Sequence, residues 1–327
     1  MTQEKLQNIS SIISGVGSFL PTNIVSNEEL SKTIDTSDEW IISRTGIKQR
    51  YVLEEDKQTS YMAFNAAQAA IKNAGILANE LDLIIVATTT PDLTFPSTAA
   101  LVQAQLGIVD CAAFDIQAVC SGFVYALTIA DNFIKTNMYK NILVIGADTM
   151  SRILDWSDRK TCILFGDGAG AVIVSASNRD ENPGIIKSKI YSDGSLADIL
   201  KTNGGTALNK KAGVVKMEGK EVFKHAVDKM SEAMQEVLEL SGYTVDDVDY
   251  IIPHQANIRI IDAVAKRMKI DEQKVIATVS EHANTSAASI PLALSASFDN
   301  KKLKKGQLIL IAAIGGGITW GASLIRL

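Results

Sequence analysis

Short runs of consecutive apolar residues alternate along the chain with stretches in which apolar positions recur every three or four residues. Uninterrupted runs such as Leu83–Val86 and Ile309–Ile314 are typical of strands buried on both faces. The stretches Ala63–Ala74 and Phe223–Leu240 have the apolar spacing of helices. Helices between buried strands favour mostly parallel sheets, so the pattern predicts an α/β fold.

The order of these elements occurs twice along the chain. Leu83–Thr90 follows the first helix-like stretch as Tyr250–His254 follows the second, and Asn141–Asp148 resembles Gln307–Ile314. The residues themselves are only weakly similar. The repeated order nevertheless predicts two similar α/β halves packed around a shared helical layer.

The size and composition of the chain are compatible with two such halves. Its 327 residues, 46% hydrophobic and 21% charged, are those of a folded protein with a sizeable core. The polar, turn-rich break Asn178–Gly184 divides the chain into 1–178 and 179–327. The longest apolar run, Leu308–Ile314, has seven residues, whereas a helix that spans a bilayer needs about 20.

The termini and the net charge limit the partners and the location that we expect. The stretch Met1–Ser11 is polar and lacks the apolar core and cleavage site of a secretory signal. We therefore expect a cytoplasmic protein that does not bind membranes. The net charge of −5 leaves no basic surplus for nucleic acid, so any surface for an acidic partner must be local.

The three cysteines, Cys111, Cys120 and Cys162, are odd in number and lack close paired spacing. This favours reduced thiols over a disulfide framework or a metal site. Cys120 stands where a strand-like stretch gives way to a helix that is apolar on almost every side, as in a core. The helix N-terminus would favour a nucleophilic thiolate, but a small buried residue is an equally good interpretation. For the other two cysteines, burial is the better interpretation.

Each of the three histidines has a different setting. His254 follows an apolar strand, and ligands of α/β proteins collect at the carboxyl ends of strands. His225 lies in an amphipathic helix, where a structural role is the better interpretation. His282 and Asn284 belong to a stretch of small polar residues that would allow backbone to approach a ligand. The distance along the chain does not say whether Cys120 and His254 meet.

Two glycine-rich segments have ambiguous chemistry. Gly315–Gly317 follows a buried strand and could supply an oxyanion-binding amide, although a plain connecting loop is the simpler interpretation. The segment Phe165–Gly170 lacks the lysine and hydroxyl of a P-loop. Nucleotide hydrolysis is therefore disfavoured.

Taken together, these segments resemble the β-ketoacyl-acyl carrier protein synthase III family, the condensing enzymes that start bacterial fatty-acid synthesis. The resemblance extends from about Gly15 to Leu327. The family's thiolase-like fold implies two pseudo-repeated α/β halves in a five-layered αβαβα arrangement. The matching motifs are GVGSFLPTNIVSNEEL from Gly15, SDEWIISRTGI from Ser37, the Cys120 segment, SDRKTCILFGDGAGA from Ser157, IIPHQANIRII from Ile251, HANTSAAS from His282 and GGGITWG from Gly315.

The resemblance implies a ping-pong condensation without a cofactor. An acyl-CoA, acetyl-CoA by default, would acylate Cys120, and malonyl-acyl carrier protein would then lose CO₂ and attack the acyl group to give 3-oxoacyl-acyl carrier protein. His254 and Asn284 would donate hydrogen bonds to the oxyanion of decarboxylation. The amides of Cys120 and Gly316 would hold the oxyanion of condensation.

The resemblance also implies the contacts with substrates. Trp40 and Arg159 would stack on the adenine of CoA, and Arg44 would contact a phosphate. Gly219 and Asn257 would lie near the pantetheine. The acyl pocket would include Phe165, Ile314 and, across a homodimer interface, Phe95.

An acidic acyl carrier protein needs a local basic surface. In the helix after His254, Ile258, Ile261, Ala265 and Met268 form an apolar stripe that leaves the cations outward. A solvated helix face is the simpler interpretation of the spacing alone. The resemblance favours docking, with contacts at Gln255, Ala256, Asn257, Ile258, Arg259, Lys266 and Arg267.

Other functions remain open on the sequence. A degradative thiolase would need a second catalytic cysteine near Gly315–Gly317, and no cysteine follows Cys162. An elongating condensing enzyme would use His282 as a second histidine. A condensing enzyme of a secondary-metabolite pathway would keep the same catalytic residues, whereas in a non-catalytic acyl-binding protein Cys120 would resist acylation. Ile314 replaces an aromatic residue of many family members, so the primer stays open.

Overall fold

A computed structural model of the chain describes residues 8–181 and 183–327. Most of the N-terminal stretch in which we expect no secretory signal lies outside these residues. The strands are β1 (Ile9–Phe19), β2 (Asn23–Ser26), β3 (Gln49–Val52), β4 (Leu83–Ala87), β5 (Ala112–Ile116), β6 (Asn141–Thr149), β7 (Asp167–Asn178), β8 (Ile185–Ser192), β9 (Leu200–Thr202), β10 (Val215–Met217), β11 (Tyr250–Pro253), β12 (Leu308–Gly315) and β13 (Thr319–Arg326).

Helices connect these strands and cover the sheets. They are α1 (Asn27–Ser31), α2 (Asp38–Thr45), α3 (Thr59–Ala74), α4 (Thr98–Gln105), α5 (Gly122–Lys135), α6 (Thr206–Asn209), α7 (Gly219–Ser241), α8 (Ile258–Met268), α9 (Val279–His282) and α10 (Ser289–Asp299). The 3₁₀ turns are Ala78–Glu80, Val119–Ser121, Met150–Ile153, Gly194–Ile199, Val245–Asp247, Glu272–Lys274 and Ser286–Ala288.

The two large sheets are mixed, so the prediction of mostly parallel sheets is wrong. One sheet has the strand order β1-β7-β6-β4-β5 and the other has β11-β12-β13-β8. Only β4 with β5, β4 with β6, and β11 with β12 are parallel pairs in these sheets. The short link between β12 and β13 allows only a hairpin, because a parallel pair needs a long crossover.

The repeated order of elements is present in both sheets. In the first sheet β4 is parallel to β6 and β6 antiparallel to β7, and β11, β12 and β13 repeat this arrangement. The outer strands β1 and β8 flank β7 and β13 in the same way. The proposed boundary after Asn178 falls between β7 and β8, and the independence of the two halves stays a prediction.

Three of the apolar cores hold five layers together. One core joins the first sheet to α3 and α4, and includes Met62 and Val102. The central core, with Phe123 of α5 and Leu294 of α10, lies between the sheets. The third joins the second sheet to α7 and α8, with Met234 among its residues. The layers are therefore αβαβα, which confirms the predicted thiolase-like fold.

The halves approach each other closely where a segment of the second half, residues 284–289, rests on β6. A Cβ atom on Gly146 would lie only 2.2 Å from the carbonyl oxygen of Ala287. Two residues further along β6, a carboxylate oxygen of Asp148 accepts a hydrogen bond from the Ala287 amide at 3.1 Å. Segment 284–289 is therefore held on the first half by its backbone.

We expect Gly146→Ala to lower the free energy of unfolding by about 1 to 3 kcal/mol, because the methyl group would push against backbone that cannot move away. Chemical denaturation would measure the loss. Gly194→Ala is the matched control, since a Cβ there would meet nothing within 4 Å. Equal stability of the two variants would contradict the close packing described here.

Candidate active site

One cavity of about 1000 Å³ contains the three residues for which the sequence predicts catalytic roles. Cys120, His254 and Asn284 all line it. Cys120 comes from the turn after β5, His254 directly follows β11, and Asn284 lies between α9 and α10. The fold thus brings together side chains that are far apart in the sequence, and it places the first two just beyond the carboxyl ends of strands.

Cys120 sits in the 3₁₀ turn Val119–Ser121, directly before α5, and is only 4% exposed. The turn is strained, because Val119 has a φ of 47°, a left-handed conformation that is costly for a β-branched residue. Gly315 packs against the turn so closely that a Cβ atom would lie 2.8 Å from the Cys120 nitrogen. Packing from the second half therefore holds the cysteine in place.

The sulfur of Cys120 is a thiol in the free protein. Burial raises the pKa of Cys120 to about 12, and the neighbouring Ser286 hydroxyl offsets this only in part. That hydroxyl has no well-formed hydrogen bond within residues 8–181 and 183–327, so its effect on the pKa of Cys120 is weak. Desolvation is the largest influence on the pKa of Cys120, and it opposes the thiolate that the helix N-terminus favours.

His254 is a buried, neutral imidazole. Its Nδ1 atom lies 2.7 Å from the hydroxyl oxygen of Ser289, the first residue of α10. Burial lowers the pKa of His254 to about 3. The ring is therefore uncharged at neutral pH and can donate a hydrogen bond from one nitrogen.

Hydrogen bonds with nearby backbone groups orient Asn284. Its side-chain oxygen accepts a hydrogen bond from the Ser286 amide at 2.9 Å, which leaves the NH₂ group as the donor. Its main chain bonds to Leu164 and Gly166, with distances of 2.9 and 3.1 Å. The segment Phe165–Gly170 therefore supports the active site rather than binding a nucleotide phosphate.

Asp148 is a buried site residue that the sequence analysis missed. One of its oxygens accepts hydrogen bonds from the Thr89 amide at 2.7 Å and the Thr90 hydroxyl at 3.0 Å. Its other oxygen holds the Ala287 amide. Burial raises the pKa of Asp148, although these hydrogen bonds oppose the rise. The sequence contains a signal for this residue, because Asp148 is a carboxylate that follows directly on the apolar run of β6.

Four of the nine non-glycine residues with positive φ in the described part of the chain line the cavity or lie within two residues of its lining. Besides Val119, the non-glycine residues Ala283, Ser286 and Ile318 have φ angles of 57°, 52° and 47°. Such conformations persist only where the surroundings enforce them, and they collect at functional sites. Sequence patterns did not indicate these positions, because none of the four is a residue type that favours this backbone.

The mouth of the cavity carries an aromatic and cationic cluster. The guanidinium carbons of Arg159 and Arg44 lie 5.0 and 5.9 Å from the centre of the Trp40 ring. Arg159 also donates to the backbone oxygen of Asp35 at 2.6 Å. A base between Trp40 and Arg159 would need a separation of about 7 Å, two stacked layers. The adenine sandwich that the resemblance implies is therefore closed in the free protein.

The remaining predicted ligand contacts line the cavity in part. Gly219, Asn257, Phe165 and Ile314 all do so. Asn257 also caps α8 and donates to the Arg44 backbone oxygen at 3.2 Å.

Two predicted residues lie away from this lining. Gly315 lines the cavity, whereas Gly316 packs toward Leu200, so the role of the Gly316 amide stays a prediction. Phe95 is 83% exposed and does not line the cavity of the single chain. Its contact across a dimer interface stays a prediction.

The predicted carrier-protein surface needs one correction. Gln255 is fully buried, and its side chain bonds to the backbone of Pro253, Ile276 and Thr278. It fixes the loop after β11 and cannot touch a partner. Arg259, Lys266 and Arg267 are exposed as predicted, with Ala256, Asn257 and Ile258 partly buried beside them.

Other kinds of site are not found in the described part of the chain. In residues 8–181 and 183–327, no cluster of three or more His, Cys, Asp or Glu side chains could hold a metal ion. None of the helices described there has the length and apolar character to cross a bilayer. Cys111, Cys120 and Cys162 are all free cysteines.

Comparisons with known proteins agree on one family. Models described as 3-oxoacyl-[acyl-carrier-protein (ACP)] synthase III and its C-terminal region match residues 114–194 and 238–327. A beta-ketoacyl-[acyl-carrier-protein] synthase III of Ehrlichia canis is 57% identical over 317 residues, which are 97% of this chain and 99% of the relative.

Two solved structures have the same fold. The 3-oxoacyl-[acyl-carrier-protein] synthase III from Aquifex aeolicus VF5 has a TM-score of 0.92 and 49% identity, covering 97% of this chain and 100% of that one. The priming beta-ketosynthase from the R1128 polyketide biosynthetic pathway has a TM-score of 0.93 and 33% identity, covering 98% and 97%.

The neutral state of His254 gives a test by pH. A histidine whose pKa falls on folding stabilises the protein above its unfolded pKa of 6.5, and this stability is lost as the pH falls toward 3. Between about pH 7.5 and about pH 5, the wild type should lose about 2 kcal/mol more unfolding free energy than His254→Gln. Parallel losses, measured by chemical denaturation, would contradict the neutral buried ring.

Proposed function

Because the chain belongs to the 3-oxoacyl-[acyl-carrier-protein] synthase III family, we propose that the cavity with Cys120, His254 and Asn284 is where its condensation takes place. The protein is an acyltransferase that condenses an acyl primer with malonyl-acyl carrier protein and so initiates fatty-acid synthesis. The observation that carries the proposed site is the convergence of these three side chains in one cavity. The secondary-metabolite alternative is not favoured.

In the first half-reaction, Cys120 accepts the primer. Its sulfur attacks the thioester carbonyl of acyl-CoA, a new carbon–sulfur bond forms, and the bond to the CoA sulfur breaks. The proton of the Cys120 thiol ends on the released CoA thiol. Because burial raises the pKa of Cys120 to about 12, deprotonation accompanies the attack, and the N-terminus of α5 stabilises the charge that develops on sulfur.

In the second half-reaction, His254 and Asn284 act on the malonyl group. Loss of CO₂ leaves an electron pair that is delocalised onto the thioester oxygen. Two neutral donors stabilise this oxyanion, and a dry site makes their hydrogen bonds stronger than they would be in water. The low pKa of His254 and the bond that Ser286 makes to the oxygen of Asn284 both support such donor roles.

Condensation then returns the cysteine to its starting state. The carbanion attacks the acyl carbon on Cys120, a carbon–carbon bond forms, and the sulfur leaves and takes up a proton. The amides of Cys120 and Gly316 hold the oxyanion of this step. Close packing of Gly315 on the Cys120 turn supports this role, because it keeps the backbone of the glycine loop next to the backbone of Cys120.

The wider mouth of the cavity binds the CoA portion of the acyl-CoA primer. Trp40 and Arg159 stack on the adenine of CoA after Arg159 leaves the tryptophan face and Asp35. Arg44 contacts a phosphate, and Gly219 and Asn257 flank the pantetheine arm, which is supported by their place in the cavity lining. Acetyl-CoA is the proposed primer.

The acyl carrier protein and a second copy of the chain are the proposed partners. The acidic carrier docks on exposed Arg259, which lines the cavity, and on exposed Lys266 and Arg267 further along α8. A homodimer would cover the exposed ring of Phe95 and place it at the acyl pocket of the other subunit. A cytoplasmic location is proposed from the substrates of the reaction.

We expect the two half-reactions to separate by mutation. Cys120→Ser should abolish primer transfer, which intact mass spectrometry after incubation with acetyl-CoA would detect. Asn284→Ala should leave that transfer within about twofold but slow release of CO₂ from malonyl-acyl carrier protein about 100-fold, the usual cost of one oxyanion donor. Equal loss of both half-reactions in Asn284→Ala would contradict the assigned roles.

The docking surface gives a second test. Charge reversal by Arg259→Glu and Lys266→Glu together should raise the KM for malonyl-acyl carrier protein about tenfold or more, and the KM for acyl-CoA by less. Steady-state kinetics at low and high salt would measure both, since screening should shrink the difference.

Reversal of exposed Lys304 and Lys305, which precede β12 at the opposite end of its sheet from the cavity, is the matched control. We expect it to leave both KM values unchanged. An unchanged KM for the carrier substrate in the Arg259 and Lys266 variant would overturn the docking proposal.

A further inference from the structure

The imidazole of His254 has one buried hydrogen-bond partner. Its Nδ1 atom lies 2.7 Å from the Ser289 hydroxyl oxygen. Each of the two residues is only 2% exposed, so water does not compete for this bond. With Nδ1 engaged, Nε2 is the ring nitrogen left for a ligand in the cavity.

The direction of this bond follows from the other contact of the serine. The backbone N–H of Gln255 can only donate a hydrogen bond, and it points at the same hydroxyl oxygen from 3.4 Å. Within the described residues, Nδ1 of His254 is the one acceptor that remains for the hydroxyl proton. If Nδ1 carried the ring proton instead, the hydroxyl proton would be buried without an acceptor, which is unfavourable.

We propose that Ser289 is a positioning residue that donates to Nδ1 of His254 and thereby keeps the ring proton on Nε2, where it faces the reacting thioester oxygen. The inference rests on the proposed donor role of His254. An imidazole with the opposite tautomer would present a lone pair to the oxyanion and repel it.

One short segment then orients both hydrogen-bond donors that act in decarboxylation. Residues 284–289 begin with Asn284, whose oxygen is held by the Ser286 amide, and end with Ser289. Between them, the Ala287 amide is bonded to Asp148 of β6. A single backbone segment, fixed on the other half of the protein, therefore directs the asparagine NH₂ and the histidine Nε2–H.

Three variants test the role of the serine hydroxyl. Ser289→Ala should lower kcat for decarboxylation of malonyl-acyl carrier protein about 10- to 100-fold, the usual cost of losing a partner that orients a metal-bound histidine, with the KM little changed. Acetyl transfer to Cys120 should stay within about twofold. Ser289→Thr, which keeps the hydroxyl, should retain most of the activity. Ser295→Ala removes another buried hydroxyl of α10, one bonded to Ser18, and should leave decarboxylation unchanged.

Nitrogen-15 NMR of histidine-labelled protein reports the tautomer directly. The wild type should show the proton of His254 on Nε2, with the signal assigned by its absence in His254→Gln, and Ser289→Ala should populate the Nδ1 form. A wild-type ring protonated on Nδ1 overturns the proposal whether or not the variants fold.

Decarboxylation rates of the variants also distinguish failure of this inference from failure of the proposed function. Unchanged decarboxylation in folded Ser289→Ala, with His254→Ala inactive, overturns the positioning role alone. Full decarboxylation by His254→Ala and Asn284→Ala would instead show that the proposed function of the site is wrong.

Discussion

The active site depends on the close approach of residues 284–289 to β6. No side chain fits between Gly146 and the Ala287 carbonyl, and the Ala287 amide is tied to the buried carboxyl of Asp148. This contact joins the two halves beside the cavity that both of them line. In the proposed mechanism the nucleophile comes from one half and the hydrogen-bond donors from the other, so their mutual geometry is only as rigid as the contact between the halves.

Burial gives the site its electrostatic character. Removal from water raises the pKa of Cys120 to about 12 and lowers the pKa of His254 to about 3. Both groups are consequently neutral before substrate enters. A neutral site favours reactions in which charge appears only transiently, since donors fixed in a dry cavity stabilise that charge without reorganising. Decarboxylation and thioester exchange are reactions of this kind.

Several features could be predicted because they are local in the sequence. Buried strands, the helix that follows Cys120 and the position of His254 after a strand follow from patterns of apolar and small residues. The sequence shows the helix N-terminus that favours a thiolate at Cys120, but it does not show the depth of burial, which favours the thiol. The resemblance implies that Gln255 belongs to the docking surface, yet its side chain turns inward and bonds the backbone of three residues.

The sequence by itself determined the strands, the helices and the duplicated order that gives the layered fold, because periodicity and turn residues act over a few positions. It also marked Cys120, His254 and Asn284 through their motifs. Only the tertiary structure decided that these side chains share a cavity, that Arg159 covers Trp40, and that Ser289 and Asp148 support the site. These are contacts between distant segments, and their directions depend on how the two sheets pack.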